Sequence, residues 1–401
     1  MFDKVAEWSN EPQGVILPPA LPNGFGEYWY SEGDLIYKLY KKFGEARTID
    51  ILTQHRETYI TNNDFKEMAA RGISQVRLPV GWWAFANEST QTSSKLITDP
   101  AHSDKMFVTI TQDFLRKVLG EIHDAGLKAL IDIHAFPGGS ASGSYSGIFP
   151  SEPMFFSDAA LQEQGFDVLN SMFDFYAGLD SKLQASVIGM TLMNEPAHSM
   201  PQDGETMLAW MDKAVDLFRQ RIVVAYPDTH PQLYMNLIGT ALSDSQITDF
   251  MVTAFSADEL SAWAILDTHV YYAWNAGLSG CTLMNEDCAW MCSVDSDESG
   301  FAAVTEQIRA AAASSHSNFL SNTSIPLQGC SEFSLATYHD SENACRGFNM
   351  LEMMYAAQAD GFEAQGILDR SLFWTWKMPY GGSHEAAWSV QSYFRKTNTM
   401  A

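Results

Sequence analysis

Apolar and polar positions along this chain follow two alternating rhythms. The first is the short apolar run. "QVRLPVGW" (75–82), "LKALIDIHAF" (127–136), "SVIGMTLMNE" (186–195) and "QLYMNLIG" (232–239) each read as a buried strand. So do "AILDTHVYYAW" (264–274), "PLQGCSEFS" (326–334) and "GILDRSLFWTWK" (366–377), and "QGVILPPAL" (13–21) supplies an earlier one. The second rhythm spaces apolar residues three and four apart, which predicts helices. "TNNDFKEMAARG" (61–72) opens on a capping residue and closes on glycine, and "TQDFLRKVLGEIHDAG" (111–126) ends the same way. Further helical stretches are 161–179, 205–226, 300–315 and 342–361.

Strand–helix alternation repeated about eight times predicts parallel strands joined by crossover helices. An open doubly wound sheet and a closed barrel both satisfy that pattern. The open sheet calls for a G-x-G-x-x-G turn after an early strand. "FPGGSASGSYSG" instead follows the run at 127–136 and opens no helix. The expectation is therefore α/β, a (β/α)8 TIM barrel forming a single domain over residues 1–401. The extra length falls in an N-terminal extension (about 21–60) and in long loops at the C-terminal face, after the runs at 127–136, 264–274 and 366–377.

Composition narrows the partners. Hydrophobic residues make up 46% of the 401 and charged residues 18%, which fits a well-buried globular chain. The net charge of −25 argues against phosphate backbones and anionic membrane surfaces, so neither nucleic acid nor membrane is expected as a partner. A neutral ligand such as a sugar is compatible with it, and no obligate protein partner is implied. No run of about 18 apolar residues exists to span a bilayer. The first thirty residues lack a basic start followed by an apolar core. Cys281, Cys288, Cys292 and Cys345 suit loop-stapling disulfides, while Cys330 lies in a strand. With the sequons at Asn87 and Asn322 they point to a secreted or cell-surface protein whose targeting segment is absent from this sequence; a cytosolic one also fits. No histidine pair completes a zinc set with the cysteines, and no H-x-H or H-E-x-x-H occurs, so no metal or cofactor is expected.

In a (β/α)8 barrel the chemistry sits where strands end. Those ends carry Arg77, His134, Asn194, Glu195, His269, Tyr271, Glu332 and Trp374. A lone arginine or histidine there is commonly structural, and "FWTW" alone is commonly packing. The two glutamates differ, because "TLMNE" and "QGCSE" each deliver a carboxylate at the mouth of an apolar strand, where it costs solvation. Two carboxylic acids across one cavity are what glycosidic cleavage requires: one protonates the departing oxygen, the other stabilises or attacks the anomeric carbon. Retention of configuration needs them about 5–5.5 Å apart. Their surroundings must differ, since acid and nucleophile need opposite pKa shifts. Arg77 is placed to hold Glu332 ionised, and Tyr271 to donate to the same carboxylate.

The segments "RLPVGWW", "IDIHAFPGG", "MNEP", "DTHVYY", "CSEFS" and "FWTWK" together resemble the signature of glycoside hydrolase family 5, nearest its fungal-type exo-β-1,3-glucanase branch. "HRETYIT" (55–61) is similar to a further segment of that branch, and the resemblance covers roughly residues 50–390. It implies Glu195 as acid/base and Glu332 as nucleophile. It also implies Asn194 on the sugar 2-hydroxyl, His269 near the acid/base, Arg77 and Tyr271 near the nucleophile, His134 in the active-site set, and Trp374 under the reacting sugar. Three segments depart from the family: "GVILPPALPNGFGEYW", where Glu27 is a loose counterpart of a sugar-reading glutamate, the loop after 127–136, and "KMPYG". All three face substrate, so the reaction is better marked than the linkage.

The implied function is a retaining β-glucan hydrolase acting on a β-glucan or β-glucoside. Runners-up within the same chemistry are a β-1,6-glucanase, an endo-β-1,4-glucanase, a glucosylceramide-cleaving β-glucosidase and a transglycosylase. A carbohydrate-binding pseudoenzyme is a reading of another class, and both carboxylates being present weighs against it. Trp82, Trp83, Phe136, Tyr145, Phe149, Trp274, Trp290 and Tyr380 are expected as aromatic loop tips around the mouth, suited to sugar faces.

Overall fold

The structure, a computed structural model, describes residues 25–237, 242–272, 298–314, 325–337, 350–378 and 385–397. The chain divides into two compact units, residues 1–264 and 265–401.

In the first unit the N-terminal extension is helical. Helix α1 (Glu32–Phe43) is capped by the Ser31 hydroxyl, and α2 (Glu45–Thr58) follows across Gly44. Helix α3 (Asn62–Ala70) opens on the expected capping residue, Thr61, which with Asp64 forms a capping box in which each satisfies the other's backbone donor. Strand β1 is Gln75–Gly81, and a short antiparallel hairpin of β2 (Leu96–Thr98) and β3 (Met106–Val108) comes next. Three-residue strands are too short to leave a periodic trace, so the sequence gives no sign of this hairpin. Helix α4 (Gln112–Asp124) leads into β4 (Lys128–Ala135). Gly72 and Gly126, beyond the ends of α3 and α4, take φ of +82°, a left-handed turn that side chains resist. Helix α5 (Ala159–Ala177), β5 (Val187–Thr191), a helix over Gly204–Phe218 and β6 (Gln232–Asn236) complete the alternation. Strands β1, β4, β5 and β6 pair in parallel in that order.

In the second unit β7 (Ala264–Tyr272), which starts on the last residue of the first unit, pairs in parallel with β8 (Gln328–Thr337), and β8 with β9 (Ser371–Phe373). Helices Glu298–Ala313 and Met350–Gln365 are the crossovers. Strand β9 is far shorter than the apolar run 366–377, because Leu368–Arg370 forms a 3-10 turn. Seven parallel strands alternating with helices are thus present among the described residues, and the fold class is the (β/α)8 barrel. The run at 13–21 lies outside them, as do most of the loops after β7 and β9.

Candidate active site

In the first unit a buried polar cluster is built from β1, β4 and the end of β5. Pro79 of β1 lies opposite Asp132 of β4, but one step on the register slips: Val80 pairs with Ile133 and Gly81 with Ala135. His134 is the extra residue of that bulge, a device that re-aims side chains. Asp132 and His134 are buried, and His134 Nδ1 donates to Asp132 Oδ2 at 2.6 Å. With its proton on Nδ1, the ring offers Nε2 as an acceptor, and Asn194 Nδ2 lies 3.5 Å from it. Asn194 Oδ1 accepts from Arg77 Nη2 at 2.7 Å, and the same nitrogen stands 3.1 Å from Asp132 Oδ2. Arg77, Asp132, His134 and Asn194 therefore form a closed ring, which fixes which end of the Asn194 amide is oxygen.

Glu195 follows at once, half-buried, on strained backbone. Its φ is +37°, and Ala197 and Ser199 follow at +53° and +59°, values that cost non-glycine residues about 1–3 kcal/mol each. Such strain persists only where neighbours enforce it, and here the loop after β4 does so. Ala197 N donates to Ser140 O at 2.9 Å, and Ser142 Oγ donates to His198 O at 3.3 Å. That loop is itself pinned where Gly138 N donates to the buried Asp99 Oδ2 at 3.0 Å. The Tyr145 ring stands edge-on to both His134 (5.9 Å) and His198 (6.5 Å).

In the second unit β8 carries Glu332, which is 5% exposed. Strands β7 and β8 also slip by one residue: Thr268 pairs with Cys330 and His269 with Glu332, leaving Ser331 as the bulged residue. The slip explains an otherwise odd spacing. Cys330 and Phe333, three apart, both join the apolar cluster of Ala312, Phe362 and Ile367. Alternation alone would have put them on opposite faces. Glu332 Oε2 accepts a short hydrogen bond from the Tyr271 hydroxyl, and His269 Nδ1 lies 3.5 Å from the same oxygen. Tyr271 packs on the buried Trp388 at 5.6 Å. Asp267, fully buried, accepts from the Ser331 backbone N–H at 2.8 Å and from its hydroxyl at 2.5 Å. The half-buried Trp374 leaves the end of β9, its N–H donating to Phe333 O at 2.8 Å.

Of the residues singled out from sequence, Arg77, His134 and Asn194 thus meet in one unit, and His269, Tyr271 and Glu332 in the other. The hydrogen bonds described for Arg77 run to Asn194 and Asp132. Asp132, Asp267 and Ser331 escaped the sequence reading. A signal for the two aspartates was present: "DIH" and "DTH" repeat the same D-x-H spacing within two strands. The aromatic rim needs correction. Phe136 is wholly buried between Phe155 and Trp210, at 5.2 and 5.5 Å, and Trp83 is stacked on Phe107 at 4.0 Å. Trp82 is buried as well, so these three are core and not platform. Trp274, Trp290 and Tyr380 lie outside the described residues, as do Cys281, Cys288, Cys292 and Cys345. Cys330 is a free, buried thiol.

No family model matches the chain. Among curated proteins it is similar to glucan 1,3-beta-glucosidase 2 of Candida albicans, 29% identical over 191 residues, which are 45% of this chain and 37% of that one. The chain covers 37–42% of the length of the first curated relatives it matches. Among solved structures, rutinosidase from Aspergillus niger superposes with a TM-score of 0.61 at 17% identity, over 96% of each chain. A glycoside hydrolase family 5 enzyme from Prevotella bryantii gives 0.50 at 14% identity, over 81% of this chain and 82% of its own. At those identities the structures speak for the fold alone. The chain resembles glycoside hydrolase family 5 of the fungal glucan 1,3-beta-glucosidase type.

Proposed function

We propose that this chain is a retaining β-glucan hydrolase of the β-glucosidase/exo-β-1,3-glucanase kind, housed in one (β/α)8 catalytic domain. The observation that carries the reading is the setting of Glu332. It is a buried carboxylate at a bulge, with one oxygen held by the Tyr271 hydroxyl and faced by His269. Glutamate so held suits attack on carbon, because its position is fixed before the substrate arrives. The similarity to glucan 1,3-beta-glucosidases supplies the substrate class.

Glu332 attacks the anomeric carbon while Glu195 gives its proton to the departing glycosidic oxygen, leaving a glycosyl ester on Glu332. Glu195 then takes a proton from water as that water attacks the same carbon, and Glu332 leaves as carboxylate. Asn194 binds the sugar 2-hydroxyl, with its amide orientation set by Arg77 and His134. Trp374 lies under the reacting sugar. No described helix is long and apolar enough to cross a membrane. Asn87 of the first sequon is exposed, which supports a secreted or cell-surface setting.

The test is a panel of β-1,3-, β-1,4- and β-1,6-linked glucans, aryl β-glucosides and glucosylceramide, with products read by mass and by NMR of the new anomeric centre. Glucose released from β-1,3-glucan as the β-anomer, with or without a chelator, is the expected result. Preference for another linkage selects one of the sibling activities. An α-product removes the double-displacement scheme. Tight oligosaccharide binding without turnover makes the chain a binding protein instead.

A further inference from the structure

Two buried polar groups beside Glu332 have no part in that scheme, Asp267 and Ser331. Asp267 is 0% exposed, and a carboxylate so placed is costly unless donors answer it. Ser331 supplies two of them, and the bulge is what lets it. As the extra residue of β8, Ser331 has no ladder partner on β7, so its N–H turns to Asp267 Oδ1. The bulge also leaves Ser331 and Glu332 as the two consecutive residues between Cys330 and Phe333, which pack toward the helices.

Proton positions follow from the oxygens. A carboxylate only accepts, so the Ser331 hydroxyl proton points to Asp267 Oδ2 at 2.5 Å. Ser331 Oγ is then left with lone pairs for His269 Nε2, 3.2 Å away, and Nε2 must be the nitrogen that carries a hydrogen. A direct bond from Asp267 to His269 would not replace this link, because Oδ2 and Nε2 are 3.8 Å apart. His269 Nδ1 is left facing Glu332 Oε2 at 3.5 Å, on the oxygen that Tyr271 already holds.

We propose that Ser331 is a positioning residue: anchored on Asp267, its hydroxyl pins the His269 ring proton on Nε2 and so keeps it off Glu332. A ring released from Ser331 can tautomerise or flip and present N–H to Glu332 Oε2. The carboxylate would then carry a second strong donor and attack the anomeric carbon less readily. The inference rests on Glu332 being the nucleophile.

The experiment pairs kinetics on an aryl β-glucoside with nitrogen NMR of histidine-labelled protein. Ser331→Ala and Asp267→Asn are each expected to lower kcat about 10- to 100-fold with KM little changed, the cost of a misaimed reacting group. The double variant should be no slower than the slower single one, because both cut one chain. In unreacted protein the Nε2 resonance of His269 should show a fixed proton, and it should lose that signature in either variant, with thermal melting confirming that each is folded. Wild-type turnover in Ser331→Ala with an unchanged His269 signal overturns the relay, as does additivity in the double variant. A wild-type protein that turns over no β-glucoside instead sinks the nucleophile assignment, while the NMR signature still judges whether Ser331 pins the ring. Should Ser331→Ala fail to fold, Asp267→Asn carries both measurements.

Discussion

Each unit hangs a histidine on a buried aspartate two residues before it, yet the wiring differs. Asp132 takes the proton-bearing Nδ1 of His134 directly at 2.6 Å, and the circuit closes on itself through Arg77 and Asn194. Asp267 reaches His269 through the Ser331 hydroxyl and on the other ring nitrogen, and the chain stays open, ending on Glu332. The closed ring links its members to one another and so fixes the orientation of the neutral Asn194 amide. The open chain ends on Glu332, a carboxylate that in the proposed scheme loses its charge on bonding to carbon.

The largest expected effect separates the roles of the two glutamates. Glu332→Ala should abolish turnover, and added azide should rescue it as an α-glucosyl azide, since azide then attacks where the side chain did. Glu195→Ala should lose about 10²- to 10⁴-fold and be rescued as the β-azide, formed by attack on the ester. The anomer found by NMR decides, and the opposite pair of products would exchange the two assignments.

Next in size is the closed ring. Asp132→Asn leaves Arg77, 4% exposed, beside a neutral amide, and breaking a buried ion pair costs about 3–5 kcal/mol. Its melting temperature should drop further than that of Asp267→Asn, whose carboxylate is answered by the neutral groups of Ser331. Equal drops in calorimetry would erase the distinction drawn between ring and chain.

Tyr271→Phe removes one donor from Glu332. That hydroxyl holds the carboxylate in place, so kcat should fall by about 10- to 100-fold, the cost of a misaimed reacting group. The smallest effect lies on the outer face of the same strand. Burial raises the Cys330 thiol well above its usual range, which keeps it protonated and unreactive. Peptide mass spectrometry after brief alkylation should find Cys330 unmodified in the folded protein and modified after denaturation.

Much of the barrel was legible because its strands are long and its helices amphipathic. The glycine stops at 72 and 126 and the capping residue Thr61 sit where the pattern put them. The hairpin of β2 and β3 was illegible because three residues carry no period. Strand β9 was overread because the apolar letters of 366–377 are shared between a turn and a strand. Phe136, Trp82 and Trp83 looked like a sugar platform because a residue's type does not tell which side of a strand end it packs on.

What the sequence determined by itself was the order of elements and the chemical identity of the groups at strand ends, since both depend on local pattern. Tertiary structure alone decided the wiring. A one-residue slip in β4 and another in β8 chose which side chains share a face, and so made Ser331 a neighbour of Asp267. Register is a property of two strands at once, and no single run of letters contains it.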